Sequence, residues 1–138
     1  GTGSGIQAKT AKEQGADVLA VDINKECLKI PNIKTLQSNL FENVKEKFDL
    51  IIFNPPYLPE DEREPEDSKL ATTGGKKGNE IIKKFLKQVK NHLNENGKIL
   101  LLFSSLTPNM EILLKDFKTK KLSEEKIPYE ILYVYLIE

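Results

Sequence analysis

The chain has 138 residues, 38% apolar and 30% charged, with 21 basic residues balancing 21 acidic ones. That describes one globular domain able to bury a core. It argues against disorder and, weakly, against a life on nucleic-acid phosphates. One cysteine, Cys27, and one histidine, His92, exclude a disulfide framework and a Cys-based or multi-His metal site. No apolar run nears the roughly 20 residues of a membrane span and no signal peptide is read, so a cytoplasmic location is expected.

In chain order, Gly1-Thr2-Gly3-Ser4-Gly5 leads into a helix expected over 5–14 and stopped by Gly15. Val18 to Ile23 reads as a buried strand, a short helix follows Asn24, and Ile33 to Gln37 is a weaker strand. Phe48 to Phe53 is strongly strand-like. Leu58 to Lys77 is a long irregular stretch carrying Glu60, Asp61, Glu62, Glu64, Glu66 and Asp67 before Gly74-Gly75. Such a loop in a compact domain is more often functional than idle.

A helix over 79–94 sets Ile81, Ile82, Phe85, Leu86, Val89 and Leu93 on one stripe, with lysines opposite and Gly97 beyond its end. Ile99 to Phe103 is a strand. Thr107 is expected to cap a helix with Pro108 at its first position, and Met110, Leu113, Leu114 and Phe117 mark the buried face. Glu130 to Ile137 is apolar on both alternating faces and should be a buried strand. Near-continuous apolar runs suit parallel strands covered on both faces. Strand–helix alternation then predicts a single α/β domain over 1–138, a three-layer sheet that binds ligands at the carboxyl ends of its strands.

Two places carry chemistry. The first is G-x-G-x-G at positions 1–5, followed by Asp22 at the end of the next strand. Glycines let backbone approach a ligand at a helix N-terminus, and an acidic strand end can accept both hydroxyls of a ribose. Ile6 stands where the dinucleotide pattern needs glycine. Glycine and serine at a terminus also suit a linker, and an Asp after a strand also suits a helix cap. The pair resembles the cofactor loop of class I S-adenosylmethionine-dependent methyltransferases.

The second place is Asn54-Pro55-Pro56-Tyr57, directly after a buried strand. Two prolines remove backbone donors, so the backbone here offers acceptors without donors. Asn54 adds a side-chain carbonyl and Tyr57 a stacking face. The pattern suits a planar nitrogen with two hydrogens to give. Holding those hydrogens aims an otherwise delocalised lone pair at an electrophilic methyl, with no side-chain base. Asn-Pro-Pro is also a plain strand terminator.

Together these features resemble the amino-methyltransferases with an NPPY motif. More narrowly, they resemble the HemK-type glutamine methyltransferases of class I release factors, in their archaeal and eukaryotic branch. Three stretches carry the resemblance: Phe48 to Pro59, Gly74-Gly75-Lys76-Lys77-Gly78-Asn79-Glu80, and Tyr129 to Val134.

The resemblance implies a Rossmann-like class I sheet, mostly parallel with an antiparallel C-terminal strand. It implies N5-methylation of the glutamine in the GGQ loop of a peptide chain release factor. Asn54, Pro55, Pro56 and Tyr57 would hold that amide. Gly1, Thr2, Gly3, Gly5, Asp22, Ile23, Asn39, Leu40 and Asn54 would bind S-adenosylmethionine, with Asn39 where the family usually has Asp. It also implies a Trm112-like zinc-binding activator adding a strand along Ile33 to Leu40.

Family members carry a strand and an acidic residue just before the glycine loop. The sequence beginning at Gly1 is therefore expected to be truncated, or to have its first strand supplied by another chain, and to bind the methyl donor poorly alone. Two other functions stay open: an adenine N6-methyltransferase on DNA or RNA, and a non-catalytic fragment or binding subunit. A lysine acceptor is a further option. Nucleic acid is disfavoured by the acidic loop beside NPPY and by the lack of room for a recognition domain.

Overall fold

A computed structural model describes the backbone of residues 1–138 and every side chain except those of Glu66 and Asp67. These two close the acidic stretch singled out above, and their side chains lie outside the described residues. The chain divides into two compact units, Gly1–Glu46 and Lys47–Glu138.

The first unit holds helix α1 (Ile6–Glu13), strand β1 (Leu19–Asp22), a 3-10 turn (Lys25–Leu28) and strand β2 (Lys34–Gln37). The expected elements are all present, trimmed at their ends. Gly15, at a φ of 87°, ends the α1 region by donating its N–H to the Lys12 carbonyl. Asn24 caps the 3-10 turn through its side chain, which accepts from the Glu26 N–H. β1 and β2 pair in parallel, with Leu19 opposite Lys34 and Asp22 opposite Gln37. Ala8, Ala20 and Ile30 are buried together, with Val18 and Ile33 packed against them.

The second unit holds strand β3 (Phe48–Phe53), helices α2 (Glu66–Thr72) and α3 (Glu80–Val89), strand β4 (Leu93–Ser104), helix α4 (Met110–Leu114), and strands β5 (Thr119–Ile127) and β6 (Glu130–Ile137). Its sheet runs β3-β4-β6-β5; β3 is parallel to β4, while β6 is antiparallel to both β4 and β5. The antiparallel C-terminal strand is thus as expected. Ile82, Phe85, Leu86 and Val89 of α3 are buried, as are Ile99, Leu101 and Phe103 of β4. The rings of Phe53 and Phe85 meet with centroids 4.4 Å apart. Burying this stripe is what fixes α3, since isolated helices of this length are marginal in water.

Five expectations are corrected here. The helix over 79–94 stops at Val89; a 3-10 turn follows and Leu93 already pairs with Phe48. β4 therefore starts before Ile99, with a bulge over 94–97 that Asn96 (φ 61°) and an Asn94–Asp49 side-chain hydrogen bond of 2.8 Å accommodate. Thr107 is not the cap of α4. Its hydroxyl accepts from the Ser104 N–H at 3.1 Å, and Asn109, left-handed at a φ of 60°, takes the cap position. The irregular stretch 58–77 contains α2, and 119–127, which carries no apolar pattern, is an edge strand. Finally, β3 is not covered on both faces: Leu50 and Ile52 are 46% and 37% exposed.

Candidate active site

In the first unit the glycine turn is tied to the end of β1. The Thr2 N–H donates to the Val21 carbonyl at 2.7 Å, and the Gly5 N–H to the Thr2 carbonyl at 2.9 Å. Gly5 has a φ of 75°, a left-handed backbone that strains other side chains, and a Cβ there would sit 2.7 Å from Ile30 Cδ1, so the entry to α1 favours glycine. Asp22 is buried; its Oδ2 accepts from the Gly3 N–H at 2.9 Å and its Oδ1 from the Asn24 N–H at 2.9 Å. The carboxylate thus joins the turn to the loop after β1, a connection the sequence reading did not contain.

Ile23, half exposed, lends its carbonyl to the Gln37 side chain at 3.0 Å. Asn39 donates to Glu42 at 2.9 Å, and Leu40 takes a left-handed φ of 52°. Cys27 is half-buried, and burial followed by the charge of Asp22 pushes its thiol up, away from thiolate chemistry.

In the second unit Asn54 follows the last residue of β3, at the carboxyl end of the sheet. Its side chain is exposed and makes no hydrogen bond among the described residues. Pro55 is buried; Pro56 and Tyr57 are half-buried. Burial and, secondarily, the charge of Glu130 push the Tyr57 phenol up, so it stays neutral. Glu130 in turn accepts from the hydroxyl of the buried Ser104. Neither residue was singled out as a site residue from sequence; the one available signal was the position of Glu130 in the stretch Tyr129 to Val134. His92 is half-buried in the 3-10 turn after α3.

The segment after Tyr57 is stapled to residues 72–75. The Leu58 N–H donates to the Thr72 carbonyl at 2.9 Å, the Gly74 N–H to the Leu58 carbonyl at 2.8 Å, and the Glu60 N–H to the Gly75 carbonyl at 3.1 Å. The acidic loop is less open than its composition suggests. Arg63 holds the Asp61 carboxyl down to about 2, and Glu64 accepts from Ser68, Thr72 and Thr73, which lowers its own value. Leu58 to Glu64 line a cavity of about 730 Å³. Among the described residues no group of three or more His, Cys, Asp or Glu is placed to hold a metal ion, and no helix is long and apolar enough to cross a membrane.

A strand end whose two prolines offer backbone carbonyls without N–H groups, in a sheet of this order, describes a class I methyltransferase fold. The Mtq2–Trm112 complex from E. cuniculi, described as methylating the translation termination factor eRF1, shares it. A TM-score of 0.79 covers 99% of this chain and 80% of that one, at 22% identity. The chain belongs to the methyltransferase small domain family, whose model matches residues 1–133.

Among its relatives is a protein of Methanocaldococcus jannaschii provisionally named protein N5-glutamine methyltransferase. It is 39% identical over 97% of this chain and 76% of its own length. The release factor glutamine methyltransferase of Lactococcus lactis is 35% identical over 73% of this chain. This chain spans only 44% of that bacterial relative.

Proposed function

We propose that the protein transfers a methyl group from S-adenosylmethionine to the side-chain amide nitrogen of the GGQ glutamine of a class I release factor in the cytoplasm. The observation that carries this reading is the Asn54–Pro55 corner. An exposed carboxamide without an internal partner adjoins a proline carbonyl that no described donor meets. Asn54 Oδ1 and the Pro55 carbonyl each accept one hydrogen of the substrate amide. That fixes the amide plane, turns the nitrogen lone pair outward and stabilises the positive charge that grows on nitrogen. Neutral Tyr57 packs on the amide and takes no proton; the proton leaves the nitrogen to water.

The residues of the first unit suit the donor. The space beside Gly3 is open to 4 Å, and the N-terminus of α1 faces the turn, favouring a carboxylate. Each Asp22 oxygen, with one backbone N–H bound, keeps a lone pair for a ribose hydroxyl. Asn39 is the candidate for the adenine amine. When bound, the donor supplies an electrophilic methyl on sulfonium.

A Trm112-like activator would add its strand along β2. Within its sheet this strand has β1 on one side only, and Lys34 and Gln37 at its ends are exposed. An edge of this kind accepts an added strand.

The deciding experiment is mass spectrometry of a release factor co-expressed with the protein and such an activator. One added methyl on the GGQ glutamine is expected. A methyl on adenine in total nucleic acid, with the glutamine unmodified, would move the assignment to the amine of a base.

A further inference from the structure

We propose that Gly74 is a positioning residue for methyl transfer: its missing side chain lets the turn 74–78 press on the backbone of Pro56 and Tyr57, and so holds Asn54 and Pro55 in register. The inference rests on the acceptor corner assigned above. A Cβ at Gly74 would lie 2.4 Å from the Gly78 carbonyl oxygen and 2.7 Å from the Pro56 carbonyl oxygen. Both are backbone atoms and cannot swing aside.

Gly78 approaches from the same turn. A Cβ there would lie 2.7 Å from the Tyr57 carbonyl oxygen and 2.8 Å from the Pro59 nitrogen. Gly78 also has a φ of 87°, which mixes steric and conformational costs, whereas Gly74 has no positive φ and isolates close approach alone. Glu80 closes the turn from outside: its Oε1 accepts from the Lys77 N–H at 3.0 Å. The contact is thus continuous from Glu80, through the glycine turn, to the carbonyls one and two residues past Pro55.

A displacement near 1 Å at such a corner costs on the order of 10²-fold in rate without touching binding. The test compares Gly74→Ala with Gly97→Ala. A Cβ at Gly97 would also meet backbone, 2.9 Å from the Phe48 carbonyl oxygen, a lesser clash than the 2.4 Å at Gly74 and at the opposite end of β3. Three quantities are measured on the intact protein: kcat and the KM for S-adenosylmethionine with the release factor, the melting temperature, and the 15N resonance of the Asn54 side-chain amide without substrate.

For Gly74→Ala, kcat is expected to fall about 10-fold to 100-fold. The donor KM should hold, the Asn54 resonance should shift, and the melting temperature should stay above the assay temperature, as in Gly97→Ala. Gly97→Ala should keep kcat and the Asn54 resonance. An unchanged kcat, or an unmoved Asn54 resonance, in Gly74→Ala overturns the proposal.

If the unsubstituted protein fails to methylate glutamine, the acceptor assignment fails, and the Asn54 resonance alone decides the positioning role. If Gly74→Ala does not fold, Glu80→Ala loosens the same turn from its solvent side. It must then shift the Asn54 resonance and lower kcat, and the absence of both overturns the proposal.

Discussion

In the proposed reaction, replacing Asn54 with alanine removes one of two acceptors and little else. The side chain is exposed and carries no hydrogen bond among the described residues, so the fold should lose no more than about 0.5 kcal/mol. The Pro55 carbonyl survives the change and still orients one amide hydrogen. What disappears is the second fixed acceptor, and with it part of the stabilisation of charge developing on nitrogen. Loss of one preorganised hydrogen-bonding group of this kind costs about 2.7 to 4 kcal/mol in the transition state, or about 10² to 10³ in kcat.

The affinity for S-adenosylmethionine should barely move. Asn54→Asp keeps an acceptor and should retain more activity than Asn54→Ala, which separates accepting from donating by this side chain. The assay is single-turnover methyl transfer to the release factor, with donor affinity measured by calorimetry. A kcat for Asn54→Ala equal to that of the unsubstituted protein would remove Asn54 from the chemistry. A loss of kcat matched by an equal loss of folding stability would refute the energetic argument.

Three further outcomes follow from the same structure. Phe85→Ala removes a buried ring that stacks on Phe53 at 4.4 Å; it should cost about 3 to 5 kcal/mol in urea unfolding, and a loss under about 1 kcal/mol would contradict the core described. Asp22→Asn sets an amide against two N–H donors, Gly3 and Asn24, that now find carboxylate oxygens at 2.9 Å. A loss of about 1 to 3 kcal/mol and weaker donor binding are expected by melting and calorimetry. Glu138 is held by Lys118 and Lys98, which lower its carboxyl from 4.5 to about 2. A depressed carboxyl stabilises the fold above its unfolded value, and that contribution fades as pH falls through the folded one. The stability gap between the unsubstituted protein and Glu138→Gln should therefore be present at neutral pH and close between 4.5 and about 2; a constant gap would refute the linkage.

β3 and β6 were legible because apolar residues run from Leu50 to Phe53 and from Ile131 to Ile137, and because Asn-Pro-Pro follows Phe53. β5 was not, for a physical reason. Its residues are exposed from Thr119 to Lys126, so no burial pattern marks them; pairing with β6 alone makes them a strand. α2 was hidden in the same way within an acidic stretch. The cap of α4 fell to Asn109 because the Thr107 hydroxyl was drawn to the Ser104 N–H, a choice set by the turn around it.

The site divides along the same line. The residue types at 54–57 and their place after a strand determine that the backbone at Pro55 and Pro56 accepts hydrogens and gives none, because proline lacks an N–H wherever it stands. Likewise, a carboxylate at position 22 and glycines at 1, 3 and 5 are given by the chain itself. That the Gly3 N–H reaches Asp22 Oδ2, and that Gly74 and Gly78 lie against the carbonyls of Pro56 and Tyr57, was decided only by tertiary structure. Such contacts join residues about 20 positions apart in sequence, and no local pattern records how near two backbones come once the chain has packed.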